Sequence, residues 1–455
     1  MTRHVPALVI GGGISGLVCA YALRKSGIDA QLLEAAPRPG GVIQSITRDG
    51  YLLELGPQSF SSTPALLQLC AELGISTEIL EAPPHAPRYV LIEGKLRPVP
   101  LSPPAFFMSS LIDGSTKWAL LRDIFGKSSP PDADESIAAF TRRKFSAQLL
   151  DRLVGPFVSG VYAGDPERLS VRSAFPQLYE AEKSAGSIVR GMLRLAKSKK
   201  GPRERPTLQT FRKGSESLVH ALSANLGQSM RTNSRGTKLE KNSDTCFTVQ
   251  LEGNGNKDTL STNALILSTP LDSTAKLLGN LNSSFETQLS PIEFAAVAVV
   301  SLGYLKSAIA HSLDGFGFLV PRSAGFCVLG TVWNSSLFPN RAPDGHALLT
   351  SFVGGTTDPA AAKLSPENLA ALVHREISSI LSIKHEPVFS NVTIWSHALP
   401  QYSLGHADRL SAVTTLLKNY PGIWLTGNYL RGPAIGTCVE QALATAEEVA
   451  KRLAQ

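Results

Sequence analysis

The sequence predicts an α/β protein that combines a discontinuous Rossmann-type dinucleotide-binding domain, a mixed-sheet domain and a helical insertion. Three observations predict this class. A short apolar run at residues 7–10 leads through a glycine-rich turn into a helical pattern and a second apolar run. The middle of the chain has helical periodicity, and mixed strand patterns follow it. Near the C-terminus a strand, a glycine and a long helix follow one another again, as expected if one domain is built from separate segments of the chain.

The predicted elements follow one another in a clear order, with a polar, proline-flanked loop at residues 197–206 as a boundary. We predict strands at residues 7–10, 31–33, 247–251, 260–267, 295–302, 348–353 and 424–426. We predict helices at residues 14–26, 115–125, 135–153, 176–200, 215–226, 365–381 and 437–453.

The composition is that of an ordinary globular protein. The 455 residues suffice for two or three domains, and 43% are apolar and 18% charged, which excludes disorder, collagen and coiled coil for the whole chain. The net charge of +7 suits nucleic acid, an anionic membrane or an anionic ligand without choosing among them. Five scattered cysteines without a CxxC pair disfavour a disulfide framework or a zinc site and favour a reducing compartment.

Targeting and membrane-spanning segments are not expected. The first 22 residues place Arg3 before an apolar stretch, but glycines interrupt the run that a signal peptide needs. No stretch reaches 18 uncharged apolar residues, and the longest candidate, residues 294–302, has the length of a strand.

A dinucleotide fingerprint lies between the first predicted strand and helix. In Gly11-x-Gly13-x-x-Gly16, the first glycine permits the tight turn, the second lets the backbone approach a pyrophosphate, and the third lets the helix pack closely. The free N–H groups of the helix N-terminus attract the anion. Glu34 ends the second strand 18 residues after Gly16, where a carboxylate binds ribose hydroxyls. The agreement of strand, helix and acid argues against a glycine turn without a ligand.

Further glycine-containing turns occur later in the chain. The segment 38–41, Arg-Pro-Gly-Gly, suits a second approach of the backbone to a pyrophosphate, and residues 54–57, Glu-Leu-Gly-Pro, form another turn. Near the C-terminus, residues 425–428 open a loop that leads into the last helix.

Several segments resemble known flavoproteins. The N-terminal segment resembles the two-dinucleotide-binding-motif group, which includes monoamine oxidases, phytoene desaturases and protoporphyrinogen oxidases. Residues 160–170, GVYAGDPERLS, are similar to a signature of the protoporphyrinogen oxidases, and so are residues 315–321 (GFGFLVP), 400–402 (PQY) and 427–429 (GNY). This resemblance covers nearly the whole chain and excludes the amine oxidases.

The resemblance implies an enzyme with noncovalent FAD. It implies oxidation of a porphyrinogen in two-electron steps, with molecular oxygen as the acceptor, and no metal, general base or nucleic-acid partner. The implied FAD contacts are Gly11, Gly12, Gly13, Ile14, Ser15, Gly16, Glu34, Ala35, Arg38, Gly41, Val42, Gly56, Pro57, Gln58, Ser59, Gly236, Gly427, Asn428, Pro433, Ala434 and Ile435.

The resemblance also implies a substrate site. Arg88 matches an arginine that binds a substrate propionate, and a planar guanidinium suits that carboxylate. Gly160 matches the position that approaches the pyrrole N–H groups, while Phe316, Gly317 and Leu319 match the wall of the macrocycle site. A solvated Arg88 and a Phe316 that only packs in the core are the competing interpretations.

The implied domain organisation assigns each part of the chain a role. Residues 1–82, 207–290 and 405–455 bind FAD; residues 83–96 and 291–404 bind substrate; and residues 97–206 form a helical, membrane-associating domain. We expect a peripheral protein at the cytoplasmic face of a membrane, attached through the apolar stretch 96–112, with a buried domain interface as the alternative. The nearby basic residues are Lys197, Lys199, Lys200, Arg203 and Arg205. A homodimer remains open.

Three other functions stay open. Coproporphyrinogen III, with four carboxylates, would be oxidised by the same chemistry. A carotenoid-type desaturase would keep the flavin and change the substrate. A non-enzyme related to the GDP-dissociation inhibitors would bind a lipidated partner, but the complete fingerprint with Glu34 and Arg38 argues against it.

Overall fold

The computed structural model describes residues 3–100, 102–198, 207–243, 245–253 and 255–455. The strands are β1 (Arg3–Ile10), β2 (Ala30–Leu33), β3 (Ser45–Arg48), β4 (Tyr51–Glu54), β5 (Phe60–Ser61), β6 (Ile79–Glu81), β7 (Arg88–Ile92), β8 (Lys95–Pro98), β9 (Leu208–Phe211), β10 (Met230–Arg231), β11 (Arg235–Ser243), β12 (Cys246–Gly253), β13 (Asn256–Leu267), β14 (Phe294–Leu305), β15 (Gly317–Leu319), β16 (Val328–Val332), β17 (His346–Gly354), β18 (Phe389–Pro400) and β19 (Ile423–Leu425).

Helices connect and cover these strands. They are α1 (Ile14–Lys25), α2 (Pro64–Glu72), α3 (Pro103–Met108), α4 (Gly114–Phe125), α5 (Ile137–Lys144), α6 (Ala147–Leu149), α7 (Gly155–Tyr162), α8 (Val171–Ala174), α9 (Pro176–Ala185), α10 (Ile188–Ser198), α11 (Glu216–Leu226), α12 (Leu271–Gly279), α13 (Ser283–Leu289), α14 (Asn334–Leu337), α15 (Pro366–Leu381), α16 (His406–Leu417), α17 (Asn428–Arg431) and α18 (Ile435–Leu453). A π-helical turn, Leu150–Val154, precedes α7.

The first sheet has the strand order β10-β2-β1-β13-β12-β11, and β19 pairs with the end of β13. Strands β10, β2, β1, β13 and β19 run parallel, whereas β11 and β12 add an antiparallel hairpin. Their register aligns the last residues of four parallel strands in one row, Leu33, Ile10, Leu267 and Leu425. The loops that follow these strands therefore meet at one edge, which is where open α/β sheets bind ligands.

Two apolar layers cover the first sheet. Helices α1, α11 and α18 bury one face, with Leu17, Val18 and Val439 among the fully buried side chains. Helices α12 and α13 bury the other face through residues such as Leu278 and Phe285. The apolar period of three to four residues in these helices produces that arrangement.

The second sheet has the order β18-β14-β17-β16-β15-β7-β8, antiparallel except for the β15–β7 pair. Helix α15 packs on one face, against alternate residues of β14 such as Ala298 and Val300. The other face meets the loop after β4. There Trp395 Nε1 donates to the Leu55 carbonyl over 2.6 Å. This hydrogen bond holds the second sheet directly against the segment that follows β4.

The helical segment between residues 103 and 198 contains a small core and a buried ionic cluster. Lys144 Nζ lies 2.6 Å from Asp123 Oδ1 and 3.3 Å from Glu182 Oε1, and Arg143 also binds Glu182. Burial alone would raise the pKa of the Glu182 carboxyl, but hydrogen bonds from Arg143 and Ser128 and the nearby cations lower it to about 2. The Glu182 carboxylate therefore stays ionised at neutral pH, and the cluster ties α4, α5 and α9 together.

These observations confirm the predicted α/β class, with two corrections. The single helix predicted over 176–200 is wrong, because Gly186 adopts φ +63° and ends α9 before α10 begins; residues 199–200 lie outside the described residues. The helix predicted over 135–153 is also interrupted, since Ser146 caps a new turn. Within the described part of the chain, no helix is long and apolar enough to cross a membrane.

Candidate active site

The glycine turn after β1 combines close packing with one open position. A Cβ on Gly16 would lie 1.9 Å from the Gly11 carbonyl oxygen, so this glycine lets α1 start directly beneath the turn. A Cβ on Gly13 would meet no protein atom within 4 Å. On the open side, the Gly40 N–H donates to the Gly12 carbonyl over 2.7 Å, and a Cβ on Gly41 would lie 3.6 Å from Gly13 Cα. The protein leaves a cradle where the sequence predicts the pyrophosphate.

The Glu34 side chain is held in one orientation by two backbone N–H groups. Its two carboxylate oxygens accept hydrogen bonds from the N–H groups of Gly12 and Ala36, each over 2.6 Å. Each oxygen keeps a further lone pair for a hydroxyl donor. The Ser234 N–H donates to the Glu34 carbonyl, which brings the start of β11 to the same edge. A Cβ on Gly236 would lie 3.3 Å from Ile10, so this predicted contact also lies at the site.

Two helices begin side by side at this edge. The Cys438 thiol at the start of α18 lies beside Ser15 of α1 and donates to the Gly432 carbonyl over 3.6 Å. Neither helix has a side-chain cap, so N–H groups of both first turns are free for an anionic or electron-rich ligand. Burial raises the pKa of the Cys438 thiol to about 11, which makes it a poor nucleophile.

Arg38 holds the loop that covers the cradle. Its guanidinium donates to the carbonyls of Pro39 and Gly41, and it also lies 3.3 Å from the Glu216 carboxylate. A Cβ on Gly56 would lie 2.1 Å from the Val42 carbonyl oxygen, so the turn after β4 passes directly against this loop. The structure thus brings these predicted cofactor residues together, and a direct contact of Arg38 with the cofactor stays a prediction.

Gln58 joins the cofactor edge to the second sheet. Its side-chain Nε2 donates to the carbonyls of Glu54 and Gly56, and its Oε1 accepts from Asn334 Nδ2 over 2.8 Å. The amide is therefore engaged within the protein, and the backbone of residues 56–59 is the part left to face a cofactor.

The predicted substrate residues meet on neighbouring elements. Arg88 of β7 lies in register with Gly317 of β15, and its guanidinium carbon lies 5.5 Å from the centre of the Phe316 ring. Arg88 is exposed, and no carboxylate pairs with it among the residues that the structure describes. The Phe316 ring is half-buried and also packs against Leu337 and its neighbours, so it combines core packing with the predicted position.

Gly160 lies directly against the same strand. A Cβ on Gly160 would come within 2.5 Å of a Leu319 methyl group, and a Cβ on Gly330 would come within 3.0 Å of it. Arg88, Gly317 and Leu319 lie on the same face of the sheet, because side chains alternate along a strand, and this face is turned toward α7. The glycines therefore let α7 and β16 pack directly against the Leu319 side chain, with Arg88 on the same face of the sheet.

The sequence analysis missed a buried ion pair that positions the loop after β4. Arg341 Nη1 lies 3.1 Å from Glu54 Oε1, and both side chains are 2% exposed. Arg341 also donates to Thr210, while the Ser215 N–H donates to Glu54. The two partners are 287 positions apart, so no local pattern could have revealed this pair.

Among the described residues, no group of three or more His, Cys, Asp or Glu side chains could hold a metal ion. The arrangement offers instead a nucleotide cradle, two helix N-termini and an apolar wall with Arg88. These features define a dinucleotide-binding flavoprotein.

Comparisons with known proteins identify the family. Residues 14–454 match the family of flavin containing amine oxidoreductases, and the chain belongs to that family. It is an FAD-dependent oxidoreductase, which confirms the predicted cofactor and enzyme class.

The relatives cover the full length of the chain. It is 36% identical to the chloroplastic protoporphyrinogen oxidase of Oryza sativa subsp. japonica over 98% of this chain and 88% of that protein. It is 30% identical to the coproporphyrinogen III oxidase of Bacillus subtilis (strain 168) over 98% and 97% of the two chains. A solved structure of a putative protoporphyrinogen oxidase from Exiguobacterium sp. 255-15 matches with a TM-score of 0.81 at 24% identity, covering 99% of both chains. The resemblance seen in the sequence is confirmed.

Proposed function

We propose that this chain oxidises protoporphyrinogen IX to protoporphyrin IX in tetrapyrrole biosynthesis, with molecular oxygen as the final acceptor and hydrogen peroxide as its product. The observation that carries the proposal is the apolar wall beside α7, where Gly160 and Gly330 let Leu319 pack closely and Arg88 lies on the same face of the sheet. A flat apolar macrocycle with propionates fits a wall of this kind. The relatives named protoporphyrinogen oxidase support the same substrate.

The cofactor edge would hold FAD without a covalent bond. The cradle at Gly13 would take the pyrophosphate, Glu34 the ribose, and the turns at Gly56 and Gly427 the flavin side. Bound FAD supplies the acceptor for two electrons per cycle and returns them to oxygen. The chain's own task is to orient the macrocycle and to exclude competing reactions, so we assign no general base.

Acid precipitation should release all of the FAD into the supernatant. The reason is that the buried Cys438 thiol, with its raised pKa, forms no bond to the ring. Absorbance of the supernatant measures this directly, and yellow colour that stays in the pellet would show a covalent link.

Arg88 would anchor one propionate of the substrate. A charge-assisted bond of this kind contributes about 1.5–3 kcal/mol, so Arg88→Ala should lower kcat/KM by roughly 10- to 150-fold. FAD content and thermal stability should hardly change, because Arg88 has no carboxylate partner in the described part of the chain. Arg88→Lys should restore only part of the rate, since an ammonium does not reproduce the planar grip. Porphyrin fluorescence from fresh protoporphyrinogen IX measures the rate.

A matched control lies on the far side of the second sheet. Arg375 is exposed on α15, which packs against the opposite face, so Arg375→Ala should keep the parent kcat/KM. Equal rates for Arg88→Ala and Arg375→Ala would place the propionate elsewhere.

The helical segment would rest on a membrane surface. The last two residues of the predicted stretch 96–112, Leu111 and Ile112, are buried against Val90. Exposed apolar side chains lie on this stretch at Met108 (86% exposed), and also on two helices that pack together, α4 and α10, at Trp118 (68%), Phe125 (82%) and Leu193 (57%). Exposed Arg122, Arg194 and Lys197 on the same helices suit anionic lipid, while Lys199, Lys200, Arg203 and Arg205 lie outside the described residues.

The double variant Trp118→Ser/Leu193→Ser should weaken sedimentation with anionic liposomes by more than about tenfold. Each side chain would lose about 1.5–3 kcal/mol of apolar burial in the lipid. The control is Leu305→Ser/Val388→Ser, which removes comparably exposed apolar residues (45% and 58%) from the second sheet region. A parent protein that stays in the supernatant at low salt would contradict membrane association, and equal losses in both variants would contradict this surface.

Coproporphyrinogen III is the second candidate substrate. The relative named coproporphyrinogen III oxidase aligns over nearly its whole length, and the two substrates share the reacting macrocycle. Side-by-side rates with both porphyrinogens decide between them.

A further inference from the structure

Two buried side chains bind successive carbonyl groups of the loop after β19, which contains the short helix α17. The Tyr402 hydroxyl donates to the Asn428 carbonyl, and His406 Nε2 lies 3.0 Å from the Tyr429 carbonyl. Tyr402 is 1% exposed and His406 is 3% exposed. This loop starts at the carboxyl edge of the first sheet, because the Thr426 N–H donates to the Leu267 carbonyl, and it ends where α18 begins.

The protonation state of His406 follows from its partner. A carbonyl oxygen only accepts, so Nε2 carries the proton. Burial lowers the pKa of the His406 imidazole to about 4, which keeps the ring neutral at neutral pH. His406 is therefore a fixed donor to the Tyr429 carbonyl.

The same pair of side chains touches the helix that carries Gly160. The rings of Tyr402 and Tyr162 meet edge to face with centres 5.7 Å apart, and Tyr402 meets His406 in the same way at 4.9 Å. Next to Tyr402, Gln401 Nε2 donates to the Tyr162 carbonyl over 2.9 Å. A continuous set of contacts thus runs from α7, beside the predicted substrate wall, to the loop at the predicted flavin edge.

We propose that Tyr402 and His406 are positioning residues that set the flavin-side loop at a fixed orientation and distance from α7. Because a trans peptide is planar, a carbonyl held on one side turns the next N–H group to the other side. Holding the carbonyls of Asn428 and Tyr429 therefore fixes how this backbone faces the cofactor. The role in catalysis rests on the proposed function, whereas the effect on bound FAD does not.

The test uses Tyr402→Phe and His406→Leu, each of which removes one donor. Both should raise the Kd of FAD for the apoenzyme by about tenfold, the effect of one lost hydrogen bond near 1.4 kcal/mol. Both should also shift the visible circular dichroism and the reduction potential of the bound flavin, and lower kcat more than they change KM. His406→Gln, whose amide nitrogen can donate at a similar reach, should restore most of the parent values.

A second tyrosine–histidine pair provides the control. Tyr304 is fully buried in β14, and its hydroxyl lies 3.0 Å from His374 Nδ1 on α15, away from the cofactor edge. Tyr304→Phe and His374→Leu should lower the melting temperature and leave the flavin signals unchanged. If the variants at 402 and 406 behave in the same way, their role is only structural and the inference is wrong. Shifted flavin signals in an enzyme that leaves porphyrinogens unoxidised would keep this inference and reject the proposed function.

Discussion

Replacing Gly13 by valine is expected to yield a folded protein that does not retain FAD. Gly13 has φ −69°, which any residue adopts, and a Cβ there meets no protein atom within 4 Å. The folding free energy should therefore change by about 1 kcal/mol or less. The added methyl groups instead fill the cradle, so the Kd of FAD should rise by about a hundredfold or more, or about 2.7 kcal/mol. Absorbance of the purified protein and titration of the apoprotein measure both effects.

The neighbouring glycine of the same motif provides the contrast. Gly16→Ala places a methyl group 1.9 Å from the Gly11 carbonyl oxygen, so it should disrupt α1 and the fold. Far-ultraviolet circular dichroism separates the two outcomes. A yellow, fully loaded Gly13→Val protein would show that the pyrophosphate lies elsewhere.

Replacing Arg341 by methionine is expected to destabilise the protein by about 3–5 kcal/mol. The change leaves the Glu54 carboxylate buried without its cation, and burial already raises the pKa of that group despite Arg341. Because Glu54 begins the turn that carries Gly56 and Gln58, loss of FAD should accompany the loss of stability. Urea unfolding followed by fluorescence measures the first effect, and flavin content the second.

The exposed pair formed by Arg168 and Glu293 is the control for that experiment. It has comparable geometry at 2.8 Å, but both side chains are about half exposed, so Arg168→Met should cost at most about 1 kcal/mol. The double variant Glu54→Gln/Arg341→Met should recover much of the stability, because no unpaired charge remains. Equal effects of Arg341→Met and Arg168→Met would contradict the role given to the buried pair.

Local patterns predicted some of the elements whose apolar residues face a core, whereas the buried strands β4 and β16 and the helices α2 and α12 were missed. The first strand, helix and second strand were predicted within a few residues of β1, α1 and β2, and the terminal helix within two residues of the start of α18. Edge strands were missed. Strand β11 is mostly exposed and β18 only partly buried, and both pair on one side only, so neither has a regular apolar alternation.

The site divides in the same way. The glycines and Glu34 lie within one short segment, so the sequence predicted the glycine turn and the carboxylate that lie together in the structure, and their contacts with a cofactor stay a prediction. The Glu54–Arg341 pair and the contacts of Tyr402 and His406 with the loop after β19 join distant segments. Such contacts arise only from tertiary packing, and a single sequence carries no local signal for them.

The most direct test of the proposed function is anaerobic mixing of the FAD-loaded protein with protoporphyrinogen IX, with coproporphyrinogen III in parallel. Without oxygen, electrons taken from the macrocycle remain on the flavin, so its absorbance near the visible maximum should disappear as porphyrin fluorescence appears. Admission of air should restore the flavin absorbance. We expect faster bleaching with protoporphyrinogen IX; faster bleaching with coproporphyrinogen III would reassign the substrate. Flavin that stays oxidised with both compounds would contradict porphyrinogen oxidation by this chain.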